Sequence, residues 1–307
     1  MIEKKDRLKK PIFVVGCMRS GTTLLSKLLG EHPGIIHCGF ELKDIWSTEG
    51  NVPMSSPKTG DTSCPCLDEN DIKPGQLEQL TQAFHKRMDE VIKKKKKNED
   101  GTFLNKNPHF CNKMAFVNGL FPDARFIWIY RDLPNVVASM KKLFDDNSHY
   151  WPIQENDDAT RCWIYHPEKC PPDDVDNTRF FPGGDVRYLA EYWYENNKAV
   201  SRFLANQEQN RFLIIKEEEL IDNPGEIIDQ CFQFLDLPKY VPEKLIQKID
   251  SNRNSLWHER LTDAELQSLH HFVLQQGANL DNIIPGKALY MQYKKQILNG
   301  YVRNKKM

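Results

Sequence analysis

Pro11-Ile-Phe-Val-Val-Gly16-Cys-Met-Arg-Ser20-Gly-Thr-Thr-Leu-Leu25-Ser-Lys-Leu-Leu-Gly30 is the stretch on which the fold is decided. Pro11 to Gly16 is a short apolar run of the kind that forms a buried parallel strand. Cys17 to Gly21 makes a turn, and Thr22 to Gly30 sets Leu24, Leu25, Leu28 and Leu29 at helical spacing. Gly16 and Gly21 have the G-x-x-x-x-G spacing of a phosphate-binding loop, in which backbone amides and the following helix N-terminus hold an anion. Thr22 stands where a Walker A loop has its lysine, the ammonium that bridges terminal phosphates, and this argues against a nucleoside triphosphatase. Arg19 supplies positive charge from a different position. The plainer alternative is a tight strand-to-helix turn that uses the two glycines for geometry and leaves Arg19 exposed.

The pattern repeats further along. Ala124 to Tyr130 reads as a second strand, followed by Arg131-Asp132 and a helix over Leu133 to Phe144, with Asp132 as N-cap candidate and Pro134 in the first turn. Tyr188 to Asn206 reads as a helix and Phe212 to Ile215 as another buried strand. Asp222-Asn223-Pro224 caps a helix running to Leu235, and the remainder is helical with breaks. Residues 50 to 75 are rich in Pro, Ser, Gly and Asp and read as loop. A polar helix follows from Gln76 to Lys96. The lysine run Lys93 to Lys97 is read as its solvated end rather than as a binding patch. Residues 145 to 187 are long, irregular and aromatic, and are expected to form a lid over an acceptor site, the alternative being a disordered insertion. No internal repeat is present. The expected fold is α/β: a P-loop-like three-layer fold with a central, mainly parallel sheet flanked by helices, in a single domain over residues 1–307.

Composition narrows the function. The 307 residues are 39% hydrophobic and 28% charged, enough for a core and too polar for a membrane bundle. Lys plus Arg total 42 against 43 Asp plus Glu, a net charge of -1, so nucleic acid is not an expected partner and any anion site must be local. Met1 to Lys10 lacks the apolar core of a signal peptide, and no run approaches a membrane span. The chain therefore reads as soluble and cytoplasmic, with no membrane partner, although a chain trimmed of an anchor would read the same way. Eight cysteines are too sparse for a disulfide scaffold, and none has zinc-finger spacing, so no metal is expected. Cys162 and Cys170 are read as free thiols, with a bridge as the alternative.

Three ordered motifs carry a family resemblance. Arg19-Ser-Gly-Thr-Thr-Leu-Leu25, with His32-Pro33 and Cys38-Gly39-Phe40-Glu41 after it, resembles the 5′-phosphosulfate loop of sulfotransferases, most of all the protein-tyrosine sulfotransferase branch. Asn105-Lys106-Asn107-Pro108 resembles that family's Asn-Lys-Asp-Pro segment. Leu120 to Phe126, running on to Arg131-Asp132 and Ser139, resembles its 3′-phosphate segment. Lys216-Glu217-Glu218-Glu219-Leu220 is a weaker match, with Glu217 where many relatives have Tyr. The resemblance covers residues 11 to 144 and 188 to 237.

The resemblance implies 3′-phosphoadenosine 5′-phosphosulfate (PAPS) as sulfuryl donor, 3′,5′-adenosine bisphosphate as product, and no metal. Arg19, Ser20, Gly21, Thr22 and Thr23 would hold the phosphosulfate, and Arg131 with Ser139 the 3′-phosphate. For Arg131 the plain alternative is an ordinary salt bridge, and for Ser139 a helix-face hydroxyl. Glu41 takes the base position, with Lys106 and Arg19 stabilising the transferring group. As ordinary structure, Glu41 would be a surface carboxylate opening the helix that contains Leu42 to Trp46. His109 is the runner-up base. Lumenal tyrosine sulfotransferases pair a cysteine directly before Asn-Lys-Asp-Pro with the one corresponding to Cys38. Here Phe103 and Leu104 occupy those places, which favours a reducing compartment over tyrosyl-protein chemistry. The expected acceptor is a small neutral or cationic molecule bearing a hydroxyl or amine. Trp151, Trp163, Tyr165, Phe180 and Phe181 would wall its site, with Asp145, Asp146, Asp157 and Asp158 supplying negative charge. A peptide tyrosine or glycan acceptor comes next, and a P-loop nucleotide kinase or a catalytically dead nucleotide-binding protein stands as the alternative class.

Overall fold

Strand β1 (Ile12–Val15) is buried at every residue, which fits its uninterrupted apolar sequence. The structure, a computed structural model, describes residues 7–39, 41–53, 66–95, 97–146 and 185–304. With β2 (Ile35–His37), β3 (Thr102–Lys106), β4 (Arg125–Tyr130) and β5 (Phe212–Lys216), the first strand forms one five-stranded sheet in the order β2-β3-β1-β4-β5. Every pairing is parallel, with Val14 opposite Lys106 on one side of β1 and Ile127 on the other. The helices are α1 (Thr22–Leu29), α2 (Gln76–Lys95), α3 (Met114–Leu120), α4 (Leu133–Asp146), α5 (Val186–Leu204), α6 (Glu217–Asp222), α7 (Pro224–Phe234), α8 (Glu243–Ile246), α9 (Trp257–Arg260), α10 (Asp263–Gln276) and α11 (Leu289–Asn304). The expected α/β architecture is present. Strands β2 and β3 are additions to the sequence reading; of the segment expected as a lid over 145–187, the ends belong to α4 and α5 instead, and 147–184, with the aromatic wall, lies outside the described residues.

Side chains alternate across the sheet and divide the core by chemistry. Phe13 and Val15 of β1, Phe103 of β3 and Phe126 and Trp128 of β4 face one layer, which includes Trp46, Phe84, Phe110 and Phe121. Ile12, Val14, Leu104, Ile127 and Ile129 face the other, where Leu25, Leu28 and Leu29 of α1 meet Ile227 and Phe232 of α7. Phe13 has five aromatic neighbours, with ring centroids between 5.7 and 6.4 Å away.

Two local expectations are corrected. Lys97 is not part of a solvated end: its ammonium donates to the carbonyls of Gly30, Glu31 and His32 at 2.7, 3.1 and 3.2 Å, and so closes the C-terminal end of α1, where the helix dipole favours a cation. The Asp132 carboxylate, expected to cap α4, instead receives Lys216 at 3.0 Å and the Gln292 amide at 3.1 Å.

Beside it, Glu218 at the start of α6 accepts from the Asp132 backbone N–H at 3.1 Å and from Asn135 Nδ2 at 2.7 Å, tying α6 to α4. Burial first, then the neighbouring Asp132 and Glu217 charges, push the Glu218 carboxyl from 4.5 up to about 7. The folded protein therefore holds more protons than the unfolded chain between those values. The resulting stability is fully present below pH 4.5 and is lost as pH rises through about 7. Glu218→Gln, which cannot ionise, is expected to gain in melting temperature relative to the parent over that interval and to keep a constant offset above it. A difference that stays flat with pH would remove Glu218 from the titration.

Candidate active site

The loop after β1 is shaped by two close approaches. A Cβ on Gly16 would lie 2.1 Å from the Ile129 carbonyl oxygen of neighbouring β4, so only glycine leaves room there. Gly21 caps α1 in the left-handed region (φ 85°), and a Cβ on it would lie 2.5 Å from Glu217 Cγ. Between them Arg19 also takes a positive φ of 69°, a conformation uncommon outside glycine. The loop is held from below by the Tyr192 hydroxyl, which accepts from the Met18 N–H at 2.8 Å. The Ser20 N–H bonds the Cys17 carbonyl at 3.2 Å, and its hydroxyl lies 2.8 Å from the Cys17 thiol. Of the amides expected to meet an anion, that of Ser20 is thus engaged within the loop. The first turn of α1, beginning at Thr22 and Thr23, retains N–H groups that have no carbonyl partner within the helix.

Arg131 and Ser139 are joined by Arg19, which the sequence reading sets apart from them at the phosphosulfate loop. Arg19 Nε donates to Ser139 Oγ at 3.0 Å, and Arg131 Nη1 donates to the Arg19 carbonyl at 3.3 Å. They line a pocket of about 320 Å³ with Lys142, Arg253 and Arg260, so five cationic side chains share it. Asp250 is the one acidic residue in its lining. The crowding is visible at Arg19: burial of its guanidinium, followed by the charges of Arg253 and Arg131, lowers its pKa from the usual arginine value. Sequence spacing gave no sign of Arg253 or Arg260, which come from the turn after α8 and from α9 and lie past the last motif.

Arg131 is braced as well as basic. Its Nε lies 2.5 Å from Glu217 Oε2, and its Nη2 donates to the Arg253 carbonyl at 3.1 Å. The salt-bridge alternative is therefore realised, with Glu217 as partner, while Nη1 and Nη2, each donating once to a backbone carbonyl, keep one further N–H apiece. Trp193 Nε1 fixes the Arg131 backbone carbonyl at 2.8 Å.

On the other side of β1, the end of β3 organises a second group. Asn105 Oδ1 accepts from Trp46 Nε1 at 3.1 Å, Lys106 is ion-paired with Glu41, and Asn107 Nδ2 donates to the Glu41 carbonyl at 3.1 Å. Three consecutive residues thus latch the segment from Glu41 to Trp46. Asn107 also accepts from the His109 N–H at 3.0 Å. It uses both ends of its amide, which an aspartate in the same place could not do. Glu41 is not a carboxylate pointing into solvent: its side chain is 23% exposed and that of Lys106 4%, so the carboxylate is the accessible member of the pair. His109 is buried in the turn Pro108–Phe110. Cys38 is a free, buried thiol, pushed up to about 12 by desolvation.

Both groups lie beyond the C-terminal ends of parallel strands that flank β1, where the connections diverge to opposite sides of the sheet, the usual place for ligands in open α/β sheets. Among the described residues no His, Cys, Asp and Glu cluster could hold a metal ion, and no helix is long and apolar enough to cross a membrane.

The chain is 32% identical over 154 residues to human protein-tyrosine sulfotransferase 1, and 32% identical over 139 residues to the same protein from Danio rerio. These matches cover 45% and 42% of this chain, and 37% and 34% of the relatives, so the likeness spans little more than a third of their length. The fold is similar to that of a sulfotransferase from Alicyclobacillus acidocaldarius, with a TM-score of 0.54 at 16% identity, covering 88% of this chain and 94% of that one. A model of the sulfotransferase family matches residues 11–170, just over half of the sequence and including the loop, Glu41, Lys106, Arg131 and Ser139. The chain belongs to the sulfotransferase family.

Proposed function

We propose that the protein transfers the sulfuryl group of PAPS to a hydroxyl or amine, and that the five-cation pocket abutting the loop after β1 is where the donor's phosphates are held. That pocket is the observation that carries the reading. It has the volume of a small-molecule site, and among its described lining residues five cationic side chains stand against one acidic residue, Asp250. The donor has two anionic ends, and the chain offers two kinds of anion site to match them: the N-terminus of α1, and the group of Arg19, Arg131 and Ser139. When bound, PAPS supplies a sulfuryl group on a stable phosphate leaving group.

The chain's own contribution is positioning and charge. Arg19, on the loop after β1, and Lys106, at the end of β3, offset the charge on the oxygens of the transferring group. Glu41, held by Lys106 and by Asn107, takes the acceptor's proton as the new bond forms in line with the one that breaks. The absence of a lysine at Thr22 supports a sulfuryl donor over a nucleoside triphosphate. The acceptor is proposed to be small and neutral or cationic, on the strength of the aromatic and acidic sequence between 145 and 187. The curated relatives favour a second reading, a peptide tyrosine.

Calorimetry with 3′,5′-adenosine bisphosphate is expected to show binding without magnesium, and a preference for ATP with magnesium would overturn the donor assignment. Glu41→Gln is expected to stay folded, bind the bisphosphate as the parent does, and turn over about 10²- to 10⁴-fold more slowly. Near-full activity in that variant would transfer the role of base to His109. In a labelled-PAPS screen of phenols, amines, glycans and acidic peptides, a small phenol or amine is expected to take the label. Selective labelling of acidic tyrosine peptides would establish the second reading and leave the enzyme class intact.

A further inference from the structure

Glu217 is a fully buried carboxylate inside the arginine cluster of the proposed donor site, with a side-chain exposure of 0%. It begins α6 directly after β5, and the Gly21 cap of α1 lies against its side chain. Arg131 Nε is 2.5 Å from Oε2, and Arg253 Nη2 is 3.9 Å from Oε1. Among the described residues neither carboxylate oxygen accepts a hydrogen bond of proper alignment. The group is therefore held by charge, at the start of α1 and beside Arg131, where an incoming phosphate would be held by the same charges.

We propose that Glu217 is a built-in counter-ion of the cationic pocket, standing in for a phosphate on Arg131 and, once a phosphate has entered, weakening the grip on it so that the bisphosphate product can leave. This inference rests on the proposed donor site. Five cations with no anion buried among them would repel one another and would bind a polyanionic product so tightly that its release would limit turnover. A carboxylate fixed by hydrogen bonds would serve only to orient Arg131. One fixed by charge alone competes with the ligand for the same guanidinium.

The test is calorimetric and stopped-flow titration of 3′,5′-adenosine bisphosphate into the parent protein and Glu217→Gln, with adenosine 5′-monophosphate as a less charged probe. The glutamine variant keeps the shape and removes the charge. It is expected to bind the bisphosphate about tenfold more tightly or better, the order for deleting one nearby like charge in a partly buried site, with the change in the dissociation rate and a smaller gain for the monophosphate. Glu217→Asp withdraws the carboxylate by one methylene and is expected to tighten binding about two- to threefold, which gives a second reading should the glutamine variant fail to fold. Binding by the parent with unchanged or weaker binding by the variants would make Glu217 a mere support for Arg131 and overturn the inference alone. Failure of both parent and variants to bind the bisphosphate would overturn the donor site and this inference together.

Discussion

The backbone passes from β1 into its loop so close to β4 that the Ile129 carbonyl leaves no space for any side chain at residue 16. This contact sets the loop's path, and much else follows from it. The chain must leave the sheet at once, with Arg19 in a left-handed conformation and Gly21 turning the path into α1. The same closeness brings Arg19 beside Ser139 on α4 and lets Arg131, at the end of β4, reach back to the loop's own carbonyl. A looser turn would keep the strands and the helix and lose the pocket between them.

The tail of β3 solves a different problem. A strand that ends in Asn105-Lys106 and runs on to Asn107, all buried, would ordinarily be costly, because buried polar groups need partners. Here each of the three has one in the segment after β2, through the Trp46 indole, the Glu41 carboxylate and the Glu41 carbonyl. Two members of this group, Lys106 and Glu41, are also the ones proposed to act on donor and acceptor. Stability and chemistry therefore constrain one another at this corner of the sheet.

What could be read in the sequence followed local signals. The runs Ile12–Val15, Arg125–Tyr130 and Phe212–Lys216 are apolar and bounded by turn residues, and their strands were expected. β2 is only three residues long, and β3 carries two polar residues that look like loop until their partners are seen, so neither announced itself. At the site, Arg19, Arg131, Ser139, Glu41 and Lys106 all belong to motifs that the sequence shows, but the contact of Arg19 with Ser139 joins two motifs that the reading keeps apart. Arg253, Arg260 and the role of Glu217 depend on chain segments that meet only in space. Lys97 shows the same limit: within a run of lysines nothing marks the one whose ammonium closes a helix far away in sequence.

The division of the core into an aromatic and an aliphatic layer has a spectroscopic consequence. Trp46, Trp128, Trp193 and Trp257, the four tryptophans within the described residues, are all buried on the aromatic side of the sheet. Their share of the emission, alongside that of Trp151 and Trp163 outside the described residues, will report the loosening of that layer, whereas the packing of α1 and α7 on the opposite face contains no tryptophan among the described residues. Far-ultraviolet dichroism weighs both layers. Superimposable curves from the two methods would mean that the layers unfold as one unit, and an early dichroic loss would mean that the aliphatic side lets go first. One of the four is also placed to sense the pocket: the Trp193 indole is bonded to the backbone of Arg131, so displacement of that arginine by a ligand is relayed to a native fluorophore without any added label.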